Sequence, residues 1–180
     1  MGTILRAVSH LTACALAWPV ACYIIGQRNR LKQRAAALSV QSKDQLRPYF
    51  SPTDLGRARI VRSDPLPIPD PPFYLQLRRL GLDFPRPAMT AAITLDYLIA
   101  SHSPMSLPLL FHELVHVVQF RLLGVKTFSR LYVRGFLAGG SYGSIPLERC
   151  AFDLGHRFET SREPFNVESE IENWIKRKLF

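Results

Sequence analysis

His112, Glu113 and His116 lie within five residues of one another in 111-FHELVHVVQF-120, a run that is otherwise almost wholly apolar. On an α-helix, positions i and i+4 stand one turn apart on one face, so two imidazoles at this spacing can direct nitrogens at one ion about 2.0 Å away. Glu113, beside the first histidine, then overhangs the vacant side of that ion and can take a proton from a water that Zn2+ has made acidic. This is the HExxH pattern of zinc metalloproteases. A histidine on an apolar helix is usually a satisfied core residue. A buried helix that strands three polar groups without partners is costly, however, and a shared metal removes that cost.

A catalytic zinc needs a third protein ligand. The continuation HExxHxxGxxH would require Gly at 119 and His at 122, where the chain has Gln119 and Leu122, which excludes that class. A carboxylate on a later helix is the remaining option. Glu148 stands 32 residues after His116 in 146-PLERCAFD-153, in the first turn of an expected helix, with Glu159, Glu163 and His156 as competitors. For a donor to a developing oxyanion, Tyr142 in the turn 139-GGSYGS-144 is the first candidate and Tyr132 the second. The turn itself lacks the Lys-Ser/Thr of a phosphate-binding loop and follows no clear strand.

These residues need elements to hold them. In 107-LPLLFHELVHVVQFRLLG-124, Ser106 is a cap, Pro108 sits in the first turn and Gly124 is a stop, so a buried helix is expected there. A second helix is expected over 127–139, and a third over 146–158, opened by Pro146. Asn166 caps a last helix with Val167, Ile171, Trp174 and Ile175 near one face. Upstream, 57-RARIV-61 reads as a short strand, as does 91-AAITLDYLIA-100, while 74-YLQLRRLGL-82 suits a strand or a helical turn. Thr53-Asp54 is a possible cap, and Gln33 to Val40 has good helix formers. The stretch 64-DPLPIPDPP-72, with five prolines in nine residues, is an extended connector.

The 180 residues are one domain's worth, able to bury a core without staples. Net charge is +9 and the basic residues are scattered, with no zinc-finger, helix-turn-helix or RNA-recognition pattern, so no nucleic-acid partner is expected. Three cysteines, Cys14, Cys22 and Cys150, form neither a disulfide framework nor a CxxC site. From Ala7 to Ile25 run 19 residues without Lys, Arg or a carboxylate, followed by Arg28, Arg30, Lys32 and Arg34. That length just spans a hydrocarbon core of about 30 Å, and Trp18 and Tyr23 suit its interface. A single-pass N-terminal anchor is therefore expected in preference to a cleaved signal peptide, for which no clean cleavage site is present. Four basic residues after the segment against Arg6 before it favour a body facing the cytoplasm, with the periplasmic or extracellular side as the alternative.

Taken together, HELVHVVQF with R-LG after it, then Y-V-R, a glycine-rich turn and IPLER-A resemble the small bacterial gluzincin-like domain known as the core domain of extracellular contractile injection systems. The resemblance covers about residues 45 to 160 and is strongest over 93–155. It implies zinc ligands His112, His116 and Glu148, with Glu113 as general base. Such domains commonly carry an Asp four residues after the third ligand to orient a ligand histidine, but here position 152 is Phe and Asp153 comes one residue late. The expected fold is α+β and predominantly helical, with an active-site helix, a small sheet and an N-terminal transmembrane helix. Residues 1–34 form the anchor and basic flank, 35–72 the proline-rich connector, 73–165 the zincin-like domain and 166–180 the C-terminal helix. The expected activity is hydrolysis of a peptide or protein substrate by a zinc metallopeptidase, an edge strand near Ile93 to Ile99 holding the extended substrate. A non-catalytic zinc-binding scaffold at the membrane is the alternative, and a metal-free protein that binds membrane surfaces through its basic residues is a third.

Overall fold

The computed structural model describes residues 2–68, 90–161 and 163–180, with side chains from residue 15 onward. Tyr74 to Leu82 and the proline connector beyond residue 68 lie outside the described residues. The fold is α+β and mostly helical. Helices α1 (Gly2–Leu31), α2 (Val40–Leu46), α3 (Pro52–Arg57), α4 (Leu107–Gly139), α5 (Pro146–Thr160) and α6 (Val167–Lys176) surround strands β1 (Ala36–Ala37), β2 (Arg59–Arg62), β3 (Ala92–Leu95) and β4 (Leu98–Ser101).

The strand order is β1-β2-β4-β3, with β2 parallel to β4 and the outer pairs antiparallel. All four residues of β4, which is paired along its whole length with β2 on one side and β3 on the other, are buried. What reads in sequence as one strand from Ala91 to Ala100 is a hairpin, because Asp96 takes φ 64° and turns the chain in two residues. Asp tolerates that left-handed region better than most side chains. Its carboxylate is then fixed by Arg28 of α1 at 2.6 Å and Arg57 of α3 at 2.7 Å, so one buried anion ties the hairpin to two helices.

Helix α4 carries the site. Ser106 caps it, accepting from the Leu109 amide, and Pro108 lies in the first turn. Gly124 leaves helical geometry at φ 74°, ψ 154°, so the first helix stops there as expected, and the second starts directly after it; α4 is two helices joined at a kink with no loop between them. Phe120 and Phe128 clamp the bend from either side, their rings stacked at 3.7 Å. Beyond it, Gly135 lets the returning chain approach: a Cβ there would meet Pro146 Cδ at 2.6 Å. That contact brings the start of α5 back over α4. On the far side, Phe111 stacks on Phe158 of α5 at 4.3 Å, with Tyr49 edge-on to both.

Three expectations are revised. Gln33 to Val40 is not a helix: a 3-10 turn at Lys32–Arg34 breaks the chain, and Ala36–Ala37 pairs with β2. The cap of α3 is Ser51, which accepts from the Asp54 amide at 3.1 Å, with Pro52 next to it; Thr53-Asp54 lie inside the helix. Among the described residues no helix is long and apolar enough to cross a membrane. Instead α1 lies along α4, burying Ala17, Ala21, Ile24 and Leu31, a stripe at helical spacing.

The Asp96 junction yields a stability test. Asp96→Asn keeps a residue tolerant of the turn but removes the charge shared by two arginines. It should lower unfolding stability by about 2 kcal/mol, read from urea denaturation. An unchanged midpoint would show that the junction contributes little.

Candidate metal centre

The first turns of α4 place His112 and His116 on one face, and the first turn of α5 delivers Glu148 to the same point. His112 Nε2 and His116 Nε2 are 3.1 Å apart, and Glu148 Oε2 lies 3.4 and 3.2 Å from them. Ligands about 2.0 Å from a tetrahedral ion are roughly 3.3 Å from one another, so these three atoms form one face of such a shell. Among the described residues this is the group of three whose donor atoms could hold a metal ion. Two imidazole nitrogens and one carboxylate oxygen suit Zn2+ chemically. The competing candidates, His156, Glu159 and Glu163, are exposed and outside the group.

The surroundings fix the ligands. Gln119 is fully buried, and its amide nitrogen donates to the Leu147 carbonyl at 3.0 Å. Its amide oxygen must therefore accept, and it lies 2.8 Å from His116 Nδ1. In the neutral ring that assigns the proton to Nδ1 and turns the Nε2 lone pair toward the cluster, the role a carboxylate often plays behind a ligand histidine. Asp153, the expected orienter, is exposed. The position four residues after Glu148 faces the cluster, and there Phe152 sets its ring 4.7 Å from that of His112.

Glu113 is 5% exposed, and its Oε2 accepts from Thr94 Oγ1 on β3 at 2.6 Å. Burial raises its pKa, against the pull of His116 and the Thr94 hydrogen bond. Tyr142, in the 3-10 turn Tyr142–Ser144, donates to Glu148 Oε2 at 2.6 Å. Burial and the neighbouring Glu148 charge push the phenol far above its ordinary range, so it stays a donor. Tyr132 stacks near Phe128 at 6.0 Å. For Glu148, burial acts upward but is outweighed by His116 and by hydrogen bonds from His112, His116 and Tyr142, and the carboxyl is held well below its usual range. His116 is the counterpart: burial lowers its pKa, and Glu148 overcomes that and raises it to about 9.

Sequence reasoning brought together His112, Glu113, His116, Tyr142 and Glu148. It missed Thr94, Gln119 and Phe152. Gln119 carried a visible signal, a polar side chain three residues after His116 inside an apolar run. Thr94 carried none, since its position opposite Glu113 depends on the hairpin.

Two tests follow from this geometry. A metal needs the neutral His116 Nε2, whereas the metal-free protein keeps that imidazole protonated up to about pH 9. Binding must then expel a proton, and affinity should fall as pH drops from 9 to 7, by up to about tenfold per unit. Calorimetry of zinc addition in buffers of different ionisation enthalpy should report about one proton released near neutral pH; a pH-independent affinity would refute the assignment. Gln119→Leu removes the Nδ1 acceptor at similar volume, and should weaken zinc binding roughly 10- to 100-fold in a chelator competition.

No family model, no curated protein and no solved structure matches the chain.

Proposed function

We propose that the protein is a zinc metallopeptidase in which His112, His116 and Glu148 hold the ion and Glu113 is the general base. The observation that carries this reading is the convergence of three ligand atoms within 3.4 Å, with a second buried carboxylate, Glu113, on the residue next to the first ligand. A zinc ion held there supplies a Lewis acid and an acidified water. Its donor set and the HExxH spacing also underlie the likeness to gluzincin-like domains.

The chain's own groups account for the proton movements. Glu113 takes a proton from the attacking water as its oxygen adds to the peptide carbonyl carbon, then passes it to the amide nitrogen as the C–N bond breaks. Burial, by raising the Glu113 pKa, makes that carboxylate a stronger base at neutral pH, and Thr94 aims it. Tyr142 donates its one hydroxyl proton to Glu148 Oε2, and it would meet the negative charge that grows on the carbonyl oxygen by exchanging that hydrogen bond for one to the substrate. Among the described residues strand β3 is at the edge of the sheet, and it carries Thr94, so an extended substrate adding to that edge would run past the base.

One observation favours a zinc-binding scaffold as the second reading: His116 and Glu148 are only 5% and 4% exposed, the burial of a structural site. Glu113→Gln separates the two. It should leave one zinc per chain in place and cut hydrolysis of a peptide library by at least about a hundredfold. Equal cleavage by the variant and the wild type would refute the assigned base, and zinc binding with no cleavage by the wild type would favour the scaffold.

A further inference from the structure

The outer face of α1 is unlike the exposed side of a helix that ends at water. Its inner stripe is covered by α4, but between residues 15 and 26 the exposed positions are Ala15, Leu16, Trp18, Pro19, Cys22 and Gly26, with no charged side chain among them. Trp18 is 67% exposed and Leu16 45%. A surface helix ordinarily turns polar residues outward, and a contiguous apolar strip signals something that covers it.

The border of the strip says what. Trp18 forms one wall of a groove of about 250 Å3, whose other lining residues are Ala17, Lys126, Thr127 and Arg130. Lys126 and Arg130 stand one turn apart on α4, both exposed, and neither has an ion-pair partner among the described residues. Arg30 is exposed at the end of the strip. An indole and aliphatic groups beside unpaired cations match the boundary of a bilayer carrying anionic headgroups, where tryptophan sits at headgroup depth and each basic residue is attracted to the surface. A second copy seated on the same face would bring a second set of the same cations to it.

We propose that this face of α1, together with Lys126 and Arg130 of α4, docks the protein side-on to an anionic phospholipid bilayer. Because α1 lies along α4, the helix meets the bilayer in its plane. The proposal stands apart from the metal site and does not depend on it.

The test uses the full chain carrying Trp174→Phe, which leaves Trp18 as its one indole. Flotation with vesicles of phosphatidylcholine containing a quarter phosphatidylglycerol should carry the protein, with a blue shift of Trp18 emission, and vesicles of phosphatidylcholine alone should carry much less. Lys126→Gln with Arg130→Gln should weaken partitioning about thirtyfold at low salt, at roughly fivefold per charge. Trp18→Ser should weaken it at least about tenfold, with the unfolding midpoint unchanged in both variants. Alkaline carbonate should strip the bound protein. Failure to float with the anionic vesicles, partitioning indifferent to both variants, retention after carbonate, or a lipid-free dimer that already buries Trp18 would each overturn the proposal.

Discussion

Two imidazole nitrogens and a carboxylate oxygen within 3.4 Å of one another can share that space only if a proton or a cation lies between their lone pairs. A proton satisfies the requirement in part, and His116 retains one well above its ordinary pKa because Glu148 faces it. A divalent cation satisfies it more fully, since it draws on all three lone pairs at once. Taking three polar groups out of water costs several kcal/mol if they are left unpaired. The surrounding structure is arranged to hold them in this cluster despite that cost.

The arrangement is built by backbone devices some distance from the ligands. The Gly124 kink redirects α4, and the Phe120–Phe128 stack fixes the angle. Gly135 admits the chain at Pro146, which sets Glu148 one turn into α5 and over His116. Gln119 then locks the two helices together through the Leu147 carbonyl while orienting His116, so a single amide links packing to ligand geometry. On the opposite side, the Asp96 turn sets β3 so that Thr94 reaches Glu113. The three candidate ligand atoms, the Glu113 carboxylate and the β3 strand that faces it thus depend on α4 together with two chain reversals.

Much of this was legible in the chain. The spacing of His112 and His116, the Ser106 cap, Pro146 at a helix start and Asn166 before α6 are local signals, decided within a few residues. Glu148 was favoured over its competitors because it opens a helix that could return to the active-site helix, and the resemblance to gluzincin-like domains implied the same residue. What escaped depended on distant contacts. Gly124 does end a helix, but the sequence did not show that the next helix begins with no loop between them, an arrangement fixed by packing on both sides of the kink. Ala36 and Ala37 follow helix formers yet join a strand, because β2 offers its edge to them. The N-terminal apolar run matched a membrane span in length, while its inner stripe is occupied by α4; a linear count of apolar residues cannot separate those uses.

The central claim is that His112, His116 and Glu148 bind one zinc ion. X-ray absorption at the zinc edge of protein purified without added chelator measures this most directly. The account predicts one zinc per chain, nitrogen and oxygen neighbours at about 2.0 Å, two imidazole rings in the outer scattering, and loss of that signal in His116→Ala. A substoichiometric ion, sulfur neighbours at about 2.3 Å, or a spectrum unchanged in the His116 variant would contradict it.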